Sequence, residues 1–199
     1  MLKENSNKFN HCGTTEYQKR LREKYQLPSA IEFEKWMALK IDEYKKSEAF
    51  QKKAVKVLPI VFHIVAEQGT SGDLSKALIE EQLKQLNKDF RNQSGSTESA
   101  AADLEVEFCF ALIDPQGNTL AEPGINRVRG YGNASYSGDD PQIEGTIKPA
   151  TIWDPEKYVN VWIANLSGLN GYARFPSSST LEGLTGGVTA TTDGVVMNY

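Results

Sequence analysis

The stretch Val57-Leu58-Pro59-Ile60-Val61-Phe62-His63-Ile64-Val65 constrains this chain more than any other. It is almost continuously apolar, the pattern of a strand covered on both faces rather than one. Pro59 lies near its start, where a missing N–H is tolerated. The run from Val57 to Ala66 is broken by Pro59 and His63 and is too short to cross a bilayer. A strand of this kind needs partners on each side and a layer over each face, so the neighbouring sequence must provide them.

It does so in a regular order. After a Gly-rich turn, Gly69 to Asp73, the residues Ile79, Leu83, Leu86 and Phe90 recur at helical spacing, with Asp73 or Ser75 as the cap. Leu104, Val106, Phe108, Phe110 and Leu112 then alternate with Glu105, Glu107, Cys109 and Ala111, the period of a half-buried strand. Cys109 reads there as a small buried residue. Asp114 to Asn118 is a turn, Gly124 to Val128 a short strand, and residues 129–153 read as a long surface excursion. Tyr158 to Ala164 follows as a core strand, with Val159, Val161 and Ile163 on one face and Trp162 on the other. Leu169 to Pro176 is interrupted by Gly171 and ends on proline, which suits an edge strand, and Gly194 to Tyr199 is the last run. Strand, helix, strand in this order implies a parallel pair with a right-handed crossover. The fold class is α/β (α+β), a twisted mixed sheet of about five strands with one backing helix.

Residues 1–54 read differently, as a helical leader ahead of a body spanning 55–199. Thr15 with Gln18 resembles a capping box, and Tyr17, Leu21 and Tyr25 follow at helical spacing. Pro28 and Ser29 end that helix and begin another. Ser29 with Glu32 forms a second box, and Phe33, Met37, Ile41 and Tyr44 make one stripe with Trp36 beside it. Two short helices with narrow stripes cannot stand alone, so they are expected to pack on something else. Lys45 to Ala54 reads as a linker, in which Lys52-Lys53 suits a trypsin-like cut. The leader carries a net charge of +4 and the body −8, within an overall −4, so the two could attract one another or simply present solvated faces. The basic residues are interspersed with acids and no nucleic-acid-binding spacing is present. The polar start, MLKENSNKFNHCG, shows no secretory signal.

The usual catalytic constellations are missing. There is no Walker loop, no nucleophile elbow and no dinucleotide fingerprint. The two histidines are His11 and His63, and His63 within an apolar strand reads as a satisfied core residue. Gly183 to Gly187 has no helix after it and reads as a loop. His11-Cys12-Gly13 is the one suggestive triplet. Cys12 could serve as a zinc-ligating thiolate, pair with Cys109 in a disulfide, or be a plain terminal thiol. Asp139-Asp140 could hold calcium or sit in a solvated loop.

The order VLPIVFHIV, LNKDFRN, LEVEFCFAL, GINRV, WDPEKYVNVWIANL, GYARFP and DGVVMNY resembles the pappalysin family of metzincin zinc proteases, in its cytophagalysin and ulilysin branch. The resemblance covers roughly Cys12 to Tyr199, and GYARFP followed by DGVV is its most specific part. It implies a pro-segment over 1–54 and, over 55–199, the upper part of a secreted metalloendopeptidase. The family's zinc motif follows the DGVV strand, so zinc ligands are expected downstream of Tyr199 and no catalytic residue within this chain. Leu169, Gly171, Tyr172 and Ala173 would then form the antiparallel edge strand that pairs with peptide or protein substrates through main-chain hydrogen bonds, with glycine keeping that rim open. Cys12 would be a zymogen switch ligand on the zinc, although the flanking residues of the matrix-metalloproteinase switch are absent. Lys52-Lys53 would be the activation cleavage point. Calcium is a further cofactor of no assigned site. A non-catalytic α/β module that binds extended peptides at its edge strand, or a degenerate protease homologue, is the competing reading.

Overall fold

Strand β1 (Lys56–Val65) is the axis of the sheet, as its apolar run requires. The structure, a computed structural model, describes residues 12–47, 54–131, 134–138, 140–174 and 189–199. Along one side β1 pairs first with β2 (Val106–Phe110), through Lys56 to Ile60, and then with β3 (Ile125–Val128), through Phe62 to Val65. On its other side it pairs with β4 (Val159–Ala164), and β4 with β6 (Val195–Asn198). All of these pairings are parallel. Strand β5 (Gly171–Ala173) closes the order β2-β1-β4-β6-β5 and runs antiparallel to β6. The mixed α/β sheet therefore has six strands rather than about five, with the short Gly124–Val128 run as the addition.

Each face of the sheet carries its own core. On one, Ile60, Phe62, Ile64, Phe108, Val161 and Ile163 meet Ile79 and Leu83 of the backing helix α3 (Lys76–Phe90). Ser75 caps that helix, its hydroxyl accepting from the Leu78 N–H. Asp73 is drawn elsewhere: it accepts from the Gly69 N–H at 3.0 Å and pairs with Arg127 at 2.9 Å and Arg129 at 2.7 Å, tying the turn after β1 to the end of β3.

The opposite face corrects the surface excursion expected over 129–153. Ile143 and Ile147 are buried there against Val65, Trp162 and Val196, in a π-helical turn (Ile143–Ile147) continued by one α-helical turn (Lys148–Thr151), and Trp153 is buried against Val61 and Ala111. Two isoleucines four residues apart suffice to anchor one turn, but they are too few to stand out as a helical stripe. Near β2 this face is bare, so Val57 and Cys109 are exposed. Cys109 is thus not the small buried residue expected of a cysteine in a strand.

Two further helices precede the sheet, α1 (Thr14–Tyr25) and α2 (Ala30–Lys45). The Ser29–Glu32 capping box forms in both directions. Of the α2 stripe only Phe33 is buried, stacked on Trp36 at 5.8 Å, while Ile41 and Tyr44 are exposed. On α1, Tyr17 and Leu21 are buried; the side chain of Tyr25 lies outside the described residues.

His63 is fully buried on the face opposite α3 and is satisfied, as its setting in β1 implies. Its Nδ1 accepts from the Asn126 amide at 2.9 Å, and its Nε2–H donates to Asn160 Oδ1 at 3.0 Å. The ring stacks on Trp162 at 4.9 Å. Asn160 in turn holds Trp153 by both its N–H and its C=O. Burial draws the imidazole pKa from 6.5 to about 4, against the opposing pull of Asn160. The folded state therefore binds fewer protons than the unfolded state between these values, so stability is complete above pH 6.5 and falls as pH drops toward 4. Urea unfolding should show a loss of about 1.4 kcal/mol between pH 7.5 and 5.5, above the range where carboxylates titrate. A pH-independent stability across that interval would show that folding leaves the His63 pKa unshifted.

Candidate functional site

Strand β5 has one edge on β6 and one edge toward helix α1. On the β6 side, Gly171, Tyr172 and Ala173 lie opposite Met197, Val196 and Val195. Gly171 is required by this pairing: a Cβ there would lie 2.6 Å from the Val196 carbonyl oxygen. The glycine thus lets β5 approach β6, rather than keeping the rim open as the resemblance suggests.

The other edge carries main-chain groups that β6 cannot reach, and the N-terminal segment takes them. Gly13 N–H donates to the Gly171 carbonyl at 2.9 Å, and Ala173 N–H donates to Thr14 Oγ1 at 3.2 Å. The Gln18 amide donates to the Ala173 carbonyl at 3.5 Å. This explains why the Thr15–Gln18 capping box does not form. Helix α1 starts at Thr14 with Gly13 as its N-cap and no side-chain cap, because Thr14 and Gln18 are turned to β5. Leu169 lies just outside the strand. Its side chain is wedged between two glycines, such that a Cβ on Gly13 would come within 3.0 Å of it and one on Gly138 within 2.5 Å. A methyl group at residue 13 would press on the end of the Leu169 side chain where the N-terminal segment meets the rim.

Behind β5, Tyr172 and Arg174 point into a buried charge cluster that the sequence did not reveal. Glu144, on the π-turn, accepts from the Tyr172 hydroxyl at 2.8 Å and pairs with Lys148 at 2.8 Å and Arg174 at 2.7 Å. Lys148 is fully buried; its ammonium donates to the Thr192 carbonyl and lies 5.1 Å from the Trp162 ring. Burial lowers its pKa to about 8, and Glu144 opposes that shift, leaving it a cation at neutral pH. Burial raises the Tyr172 phenol, and Glu144 adds to the effect, so it remains a donor. From α1, Tyr17 lies 5.2 Å from the Tyr172 ring and covers the Arg174 guanidinium at 5.0 Å. The available signals were Glu144 and Lys148 at i, i+4, each following an isoleucine, Ile143 and Ile147.

Cys12 and Cys109 are exposed free thiols. Cys12 stands immediately before α1, and hydrogen bonds from the Thr14 side chain and backbone lower its pKa. Lys52, Lys53, Asp139 and Gly183 to Gly187 lie outside the described residues. Among the described residues no three His, Cys, Asp or Glu side chains are grouped to hold a metal ion. Zinc therefore finds no complete ligand set among them, Cys12 being one thiol only, and no calcium cluster is present. Nor, among the described residues, is any helix long and apolar enough to cross a membrane.

No protein-family model and no curated protein matches the chain. Solved structures do. Mirolysin in complex with a compound is 30% identical over 73% of this chain, with a TM-score of 0.59. Tannerella forsythia mature mirolysin in complex with a cleaved peptide is 28% identical over 74%, with a TM-score of 0.58. Tannerella forsythia promirolysin, in a Glu-to-Ala variant, is 25% identical over 95%, with a TM-score of 0.62. The chain spans 53%, 54% and 59% of these structures, a little over half of each. These neighbours are a pappalysin-family metzincin, the group whose motifs the sequence resembles. The match to the zymogen form extends over the N-terminal helices, whereas the match to the mature form covers less of the chain.

The two rim glycines should respond differently to a methyl group. Gly171→Ala meets backbone on β6 and should cost about 1–3 kcal/mol in urea unfolding. Gly13→Ala meets the mobile end of Leu169 and should leave global stability nearly unchanged, while speeding amide exchange at Gly13 and Ala173. Equal effects of the two on global stability would contradict this geometry.

Proposed function

We infer that this chain is the N-terminal portion of a pappalysin-family zinc metalloendopeptidase precursor: a pro-segment over 1–54 joined to the upper part of a catalytic domain over 55–199. The observation that carries this reading is the pair of hydrogen bonds at the outer edge of β5, from the Gly13 N–H to the Gly171 carbonyl and from the Ala173 N–H to Thr14 Oγ1. An edge strand offers unpaired N–H and C=O groups to any extended segment, and peptide substrates bind such edges as an added strand. Here the pro-segment fills those positions, and Tyr17 and Leu21 anchor it to the core behind them. The precursor is thereby latent, because its own N-terminal segment stands where substrate would pair. The resemblance to promirolysin along 95% of the chain supports this assignment.

In this reading zinc is held by residues outside the chain and supplies the activated water that attacks the peptide bond. The residues present align the substrate: Gly171 and Ala173 by main-chain groups, Leu169 by packing at the end of the rim. Cys12 lies near the rim as the candidate switch thiolate, and Lys52-Lys53 is the proposed activation cut, after which the pro-segment leaves. On the α3 face, an apolar groove of about 200 Å³ between Leu78, Ile79, Ile163 and Met197 is the sheet surface left for the helix that bears the zinc motif. The whole protein is proposed to be secreted and to act on protein or peptide substrates.

The coding sequence beyond residue 199 tests this directly. It should continue into H-E-x-x-H-x-x-G-x-x-H within a few helical turns of Tyr199. A product extended through that motif should hydrolyse casein in the presence of zinc only once residues 1–54 are removed, and a chelator should abolish the activity. Zinc-dependent casein hydrolysis by the purified 199-residue chain would overturn the assignment.

A further inference from the structure

The rim strand is only three residues long and pairs with a single neighbour, β6, so its position needs support beyond its own ladder. That support comes from one side chain. Tyr172 and Arg174 flank Ala173, whose N–H and C=O face outward, and both side chains end on Glu144. Glu144 is itself about nine-tenths buried and is neutralised by Lys148, which reaches the Thr192 carbonyl, while Arg174 reaches the Thr192 hydroxyl. Thr192 precedes β6, so the carboxylate links the residues entering β6 with those leaving β5. Arg174 is also the surface on which Tyr17 of helix α1 lies.

We propose that Glu144 is the positioning residue of the peptide-pairing rim, holding β5 from behind through Tyr172 and Arg174 so that Gly171 and Ala173 present their main-chain groups to an extended segment. The inference rests on the reading of β5 as that rim. Glu144 touches neither the paired segment nor any reacting atom; it acts through the two side chains that alternate with the presented groups. The arrangement suits a π-turn, whose wider ring displaces one residue from the α-helical register and is often found at functional sites. It also explains a buried charge cluster in a core that could have been wholly apolar. Such clusters contribute little net stability compared with apolar packing, but they favour one arrangement of the groups that they join.

Hydrogen exchange on the full 199-residue chain tests this without requiring zinc or catalysis. Tyr172→Phe keeps the ring and removes only its hydrogen bond to Glu144. The amides of Gly13 and Ala173 should then exchange at least tenfold faster, the loss expected for one hydrogen bond to a charged group, while those of Val161 and Ile163 in β4 remain unchanged. Glu144→Gln should give the same local pattern with a larger factor. If that variant fails to fold, because Lys148 is left buried without its partner, Glu144→Gln combined with Lys148→Met removes both charges and should fold yet keep the fast rim amides. Unchanged exchange at Gly13 and Ala173 in Tyr172→Phe and in a folded Glu144 variant would overturn the proposal. So would acceleration spread evenly over β4 and the rim, which would make Glu144 a general stabiliser. A failure of the protease reading would instead appear in the coding sequence and in the casein assay, leaving these exchange rates as they are.

Discussion

Burial of β1 on both faces is the constraint on which the rest of the structure depends. A strand with apolar side chains pointing both ways is stable only with strands at both edges and a layer over each face. Each of those requirements is met by a different part of the chain: β2 and β3 share one edge, β4 takes the other, α3 covers one face, and the π-turn segment covers the other. The one polar side chain in the buried part of that strand, His63, is satisfied by two asparagines and an indole stack, so the polarity does not break the core. Because β4 is pinned against β1, β6 and then β5 are placed at a set distance from the centre.

The proposed functional feature of the molecule is therefore an edge, and an edge is defined by what lies behind it. Strand β5 has little pairing of its own. It is held forward by β6 and from behind by Glu144, and it is met from outside by Gly13 and Thr14. The same N-terminal helix makes the main-chain contacts and supplies the aromatic side chain over Arg174. Docking of that helix and the shape of the rim are thus parts of one arrangement. The second helix contributes little to it, since most of its apolar stripe is exposed.

Much of the strand architecture was legible in the sequence, because periodicity reports which faces are covered. Val161 and Ile163 against Trp162 in β4, the alternation in β2, and the helical spacing of Ile79 and Leu83 all place those residues on the faces where they are found. The capping signals were less dependable. Ser29 and Glu32 form their box, whereas Thr15 falls inside helix α1 and Gln18 is engaged by a strand 155 residues away. Cys109 shows the same limit: its residue type suggests burial, but it lies on the side of β2 that the covering layer does not reach.

By itself, the sequence determined the central strand, the parallel pair built around it, the backing helix, and a satisfied histidine in the core. These follow from local periodicity and from the cost of burying polar groups, which act wherever the chain folds. Only the tertiary structure decided that Gly171 is needed by β6, that Gly13 packs against the end of Leu169, and that Glu144, Lys148 and Arg174 converge beneath the rim. Contacts between residues so far apart in sequence have no period. They arise when packing places a carboxylate, two cations and a phenol in one space too dry for any of them to remain unpaired.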